Sequence, residues 1–104
     1  MATAVYKYEV ELADTFKIAM PKGAEVLCVQ VQRGDPFIWA RVVIDAGHPV
    51  EARQFRLAGT GHTLEGSMPE DRDGDYVGTF QLTGGSLVFH LFDCGAADGR
   101  KTRR

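Results

Sequence analysis

The sequence predicts an all-β fold, a small antiparallel sandwich or barrel of about seven strands with no substantial helix. Tyr76 to Phe92 holds two apolar runs on either side of Thr83-Gly84-Gly85, the sequence signature of a β-hairpin. Elsewhere apolar residues recur with a period of two, as strands require, rather than 3.6. Turn residues interrupt these runs at strand-length intervals, and no amphipathic helix of three turns can be drawn.

Each element follows from its own pattern. Val5 to Leu12 alternates, with Tyr6, Tyr8, Val10 and Leu12 on one face and Lys7, Glu9 and Glu11 on the other. Phe16, Ile18 and Met20 alternate with Lys17 and Ala19 until Pro21-Lys22-Gly23 stops the run. Glu25 to Gln32 and Pro36 to Ile44 form the next pair, joined at Arg33-Gly34-Asp35-Pro36. Arg53 to Ala58 is a shorter fifth strand with Phe55 and Leu57 inward, and Tyr76 to Leu82 with Ser86 to Phe92 completes the set. The one long loop runs from Gly61 to Asp75.

A chain of 104 residues is one domain with one core, expected over residues 1–94, followed by a disordered basic tail from residue 95. The net charge of −2 conceals an acidic body: without Arg100, Lys101, Arg103 and Arg104 the rest carries 8 basic against 14 acidic side chains, a net of −6. An acidic body is not the footprint of a duplex-binding domain, so no duplex nucleic acid is expected as partner. No apolar run approaches a membrane span, and the first residues lack a signal-peptide pattern; the expected location is the cytoplasm, with Cys28 and Cys94 as thiols.

The candidate binding residues come from strand parity. In Pro36 to Ile44, Ile38, Ala40, Val42 and Ile44 share one face, while Phe37, Trp39, Arg41 and Val43 share the other. Trp39 and Arg41 thus project to one side, roughly 7 Å apart, where an aromatic plane can stack a base and a guanidinium can pair with a phosphate. Gln30 and Gln32 add amide donors and acceptors from the preceding strand. The plainer alternative puts Trp39 in a second core layer with Arg41 reaching past it to solvent. Gly59-Thr60-Gly61-His62 is the other candidate: consecutive backbone N–H groups at Thr60 and Gly61, with His62 as a donor, can converge on an anion. Read structurally, it is the turn leaving the fifth strand.

Several motifs fail. Asp71, Asp73 and Asp75 begin like a calcium loop, but Tyr76 stands where that loop needs glycine and Leu82 where it needs glutamate. His48, His62 and His90 lack paired metal-ligand spacing, His90 reading as a partly buried strand residue. Arg33-Gly34-Asp35 is a turn. There is no nucleophile elbow and no cysteine context that marks a nucleophile, so neither an enzyme nor a cofactor is expected.

Taken together, Tyr6-Lys7-Tyr8, Met20-Pro21-Lys22-Gly23-Ala24, Val29-Gln30-Val31-Gln32, Trp39-Ala40, Gly59-Thr60-Gly61-His62, Gly78-Thr79-Phe80-Gln81 and Gly84-Gly85-Ser86-Leu87-Val88-Phe89-His90 resemble a family of small phage and prophage proteins. The resemblance spans Tyr6 to Phe92 and departs at the acidic insert of Glu70 to Asp75 and at the basic tail. It implies a setting in the infected host cell rather than an activity. In that setting the sequence is read as an accessory binding protein, homo-oligomeric, that captures a small phosphorylated ligand such as a nucleotide immune signal. Trp39 would stack the base, Arg41 would hold phosphate, and the Thr60 to His62 turn would supply further donors. The alternatives are a protein-interaction module acting through a sheet edge or the Phe37/Trp39 face, and a minor virion or assembly component.

Overall fold

The computed structural model describes residues 1–64 and 74–97. Seven strands appear in chain order: β1 (Thr3–Glu9), β2 (Thr15–Pro21), β3 (Glu25–Gln32), β4 (Asp35–Val43), β5 (Val50–Gly59), β6 (Asp75–Leu82) and β7 (Leu87–Ala96). They form two antiparallel sheets, β1-β4-β3 and β2-β5-β7-β6, and the expected all-β class is borne out. No described residue belongs to an α-helix, and a single 3-10 turn spans Thr83–Gly85.

Alternation assigns the faces. In β4, Pro36, Ile38, Ala40 and Val42 are buried, and in β5 Phe55 and Leu57 are buried. These inward rows meet in one core with Phe16 and Met20 of β2, Val29 of β3, Phe80 of β6 and Leu91 of β7. Phe16 and Phe55, partners across the β2–β5 ladder, stack at 5.4 Å. Two sheets burying facing apolar rows make a sandwich, and each sheet keeps an outer face turned away from that core.

The sheets meet where edge strands β3 and β6 face each other. Gly78, paired with Leu91, turns its missing side chain toward β3: a Cβ there would sit 2.9 Å from Val29 Cγ1. Only glycine allows so close an approach. At one end of the gap between the sheets Arg53 bridges the layers. Its guanidinium grips the Asp93 carboxylate at 3.0 and 2.8 Å and donates to the Ala24 carbonyl at 2.8 Å. Glu51, 3.8 Å from Arg53, accepts from the Gly23 N–H. The turn between β2 and β3 is thereby tied to the four-stranded sheet.

The largest departures from the sequence reading are at three strand ends. β1 stops at Glu9 rather than Leu12, because the chain leaves the ladder after Val10 N–H donates to the Pro36 carbonyl. β5 begins at Val50, before the expected Arg53. β7 continues past Phe92 through Cys94 to Ala96, so Gly95 and Ala96 belong to the strand rather than to the tail expected from residue 95, and buried Ala97 donates its N–H to Ala52. The basic residues Arg100 to Arg104 and most of the acidic insert, including Asp71 and Asp73, lie outside the described residues.

Candidate functional site

The outer face of the three-stranded sheet brings four of the sequence-selected residues together. Trp39 of β4 stands opposite Lys7 of β1 and Cys28 of β3, Arg41 opposite Val5 and Glu25, and Phe37 opposite Glu9 and Gln30. Gln32 closes the row opposite Asp35. Directly paired residues share a face, so Gln30, Gln32, Trp39 and Arg41 occupy one surface. Trp39 is half-buried on this outer face, and among the described residues no second core layer covers it. Its ring meets Phe37 edge-on at 6.1 Å, which fixes two aromatic planes side by side on the strand.

Electrostatics divides this face. At one end Arg41 is tied to Glu25 at 3.4 Å with both side chains more than half exposed, a pair that solvent screens. At the other end Lys7 folds back over the sheet, with its Nζ 4.5 Å from the Phe37 ring centre and donating to Gln32 Oε1 at 2.8 Å. Lys7, Gln32, Arg33, Asp35 and Phe37 line an open hollow of about 360 Å³ there. That volume is within the range of small-ligand clefts. Its lining carries two cations, Lys7 and Arg33, against the one carboxylate of Asp35, with Glu9 beside Phe37 at its margin, on a chain that is negative overall. Arg33 is held in position by the β3–β4 turn, where Arg33 and Gly34 have φ of 53° and 86°, as a two-residue hairpin loop demands.

Thr60, Gly61 and His62 are elsewhere. Gly59 to His62 is the turn that ends β5, closed by a bond from the His62 N–H to the Gly59 carbonyl, with Gly61 at φ 87°. It sits at the outer face of the four-stranded sheet. There Thr60 Oγ1 lies 2.7 Å from His90 Nε2, and Thr79 Oγ1 lies 2.8 Å from His90 Nδ1. Tyr76 Oη bonds the same Thr79 hydroxyl, extending a polar chain across β6 and β7 to the turn. His90 alternates with the buried Leu91 and so points outward, as a strand residue with both ring nitrogens engaged. Beside this chain Arg56, buried on the same face, donates to the carbonyls of Asp14, Leu57 and Thr63 and pins the segment after β5.

The two sequence-selected groups therefore stand on outer faces of different sheets and do not form one site. Sequence reasoning missed Lys7 and Arg33 as members of the first group. Lys7 comes from a strand far from β4 in the chain, and only the β1–β4 register sets it beside Trp39. Arg33 was absorbed into a turn motif. Among the described residues no cluster of three His, Cys, Asp or Glu side chains could hold a metal ion, and no helix is long and apolar enough to cross a membrane.

A family model described as a domain of unknown function, DUF7352, matches residues 1–100, and the chain belongs to that family. Neither the curated proteins nor the solved structures contain a match.

Proposed function

We infer that this member of the DUF7352 family is a binding protein that works without turnover, through the outer face of the β1-β4-β3 sheet. The observation that carries the reading is the Phe37–Trp39 aromatic pair beside a hollow lined by Lys7, Arg33 and Gln32. A planar ring stacked on Trp39 and an anionic group held by Lys7 and Arg33 describe a small phosphorylated ligand of nucleotide type. Lys7 and Arg33 take the phosphate role first given to Arg41, whose charge is already matched by Glu25. Gln30 and Gln32 supply donors and acceptors at the rim. With the phage resemblance, the biological form of this activity is capture of a host nucleotide signal in the cytoplasm of an infected cell.

A second reading is a protein partner on the same face. The hollow is open, and Val5 and Val43 extend the aromatic pair into a mixed apolar surface. Trp39 is the chain's one tryptophan, so its fluorescence reports the face directly. Titration with mono- and cyclic dinucleotides should quench or shift that emission, and Lys7→Ala or Arg33→Ala should weaken binding by at least about tenfold, the loss of one charge-assisted contact. Unchanged emission with every nucleotide, together with a protein captured by wild type and lost with Trp39→Ala, overturns the first reading in favour of the second.

A further inference from the structure

We propose that two copies of this chain pair antiparallel through β1, joining their three-stranded sheets into one six-stranded sheet. The four sheet edges are not equivalent. β3 and β6 face each other across the contact of Val29 with Gly78, which leaves β1 and β2 as the open edges among the described residues. β2 turns Phe16, Ile18 and Met20 toward the core and shows Thr15, Lys17 and Ala19 to solvent before ending at Pro21, the composition of a guarded edge. β1 is built differently. Val5 and Tyr6 are 55% and 46% exposed on a strand of high β-propensity. Lys7, the residue expected to guard it, is drawn back over Phe37 and Gln32.

The backbone of β1 is already set out for a second strand. Val10 N–H and the Ala2 carbonyl both bond into the β4 side, to the Pro36 carbonyl and the Ile44 N–H. Alternation then directs the N–H and C=O groups of Ala4, Tyr6 and Tyr8 toward β4, and those of Thr3, Val5, Lys7 and Glu9 toward the open edge. A two-fold axis at Tyr6, the midpoint of Thr3–Glu9, overlaps the two strands completely. Val5 then pairs with Lys7 of the other copy, and Thr3 with Glu9 of the other copy. About eight backbone hydrogen bonds form, with no like charges directly opposite. Tyr6 meets its own counterpart at a non-hydrogen-bonded position, where side chains approach most closely. Moving the axis to Lys7 would set the two lysines against each other.

This pairing keeps outer face with outer face. The two β4 strands, each carrying Phe37 and Trp39, become separated by three strand spacings, about 14 Å. The inference stands whether that surface binds a nucleotide or a protein, since it uses only the β1 edge.

Sedimentation equilibrium of the full chain should give twice the 11.4 kDa monomer mass. Val5→Pro should return it to the monomer, because it removes an outward N–H and leaves the β1–β4 ladder intact. Amide hydrogen exchange on the unmodified protein gives a second measurement that does not depend on the variant folding. Val5 and Lys7 amides should exchange as slowly as those of Tyr6 and Tyr8, and should speed up on dilution. A monomer at all concentrations overturns the proposal, as does a dimer whose Val5 and Lys7 amides exchange at the rate of an open edge.

Discussion

Replacing Asp93 by alanine removes the acceptor that orients Arg53, the residue that ties the β2–β3 turn to the four-stranded sheet. Three hydrogen bonds go with it: those from Arg53 Nε and Nη2 at 3.0 and 2.8 Å, and that from the Gly95 N–H at 2.9 Å. The Arg53 and Asp93 side chains are 13% and 11% exposed, so water reaches the abandoned guanidinium poorly. Breaking a buried pair from one side costs about 3–5 kcal/mol. Glu51 at 3.8 Å and the retained bond to the Ala24 carbonyl soften this to about 3 kcal/mol, taking each lost contact at roughly 1 kcal/mol. For a domain of this size that lowers Tm by roughly 15 °C. Urea and thermal unfolding followed by Trp39 emission and circular dichroism measure it. The double variant Arg53→Met with Asp93→Leu should recover most of the loss, because apolar groups leave no charge uncompensated. Stability of Asp93→Ala within about 0.5 kcal/mol of wild type, the range of ordinary surface substitutions, would mean that the Arg53–Asp93 pair does not brace the fold.

Three further expectations follow from single contacts. Gly78→Ala drives a Cβ to 2.9 Å from Val29 Cγ1 and should destabilise by about 1–2 kcal/mol in urea unfolding, with Val29→Ala relieving part of the clash in the double variant. Thr83→Gly should stabilise by about 1 kcal/mol, since Thr83 is a β-branched residue held at φ 53° in the β6–β7 turn; an unchanged or lower Tm would count against strain there. Burial, and secondarily the neighbouring Tyr6, raises the Tyr8 phenol above its ordinary value of 10.0. The folded state then holds that proton more tightly than the unfolded chain, so the stability is intact below pH 10 and declines as pH rises through the folded value. Tyr8→Phe should flatten this alkaline loss in a pH series of unfolding curves, and an unaltered slope would assign the loss to another group.

Much of the fold was legible because a period of two is a local signal. β3 coincides with the expected Glu25–Gln32, and the Phe37/Trp39/Arg41 parity holds residue for residue. The failures arose where a distant partner decides the local state. Asp93 and Gly95 read as the end of a strand, yet Asp93 is neutralised by Arg53, 40 positions away in the chain, and β7 continues. Glu11 and Leu12 continue the alternation of β1 but have no partner strand beyond Pro36, so the strand stops. At the candidate site, parity placed Trp39 and Arg41 on one side without saying what that side faces. The join between Trp39 and Lys7 depends on a pairing of β1 with β4 that skips two strands. The same limit merged two groups into one imagined site, for nothing local to Gly59–His62 reveals that it closes over His90 on the other sheet.

The most direct test of the binding face is a nucleotide titration of the isotope-labelled full chain followed by backbone and side-chain NMR shifts. Saturable changes are expected at Lys7, Arg33, Phe37 and the Trp39 indole, with Thr60, His62 and His90 unmoved. Changes confined to Thr60, His62 and His90, or none on the outer face of β1-β4-β3, would contradict binding at this face.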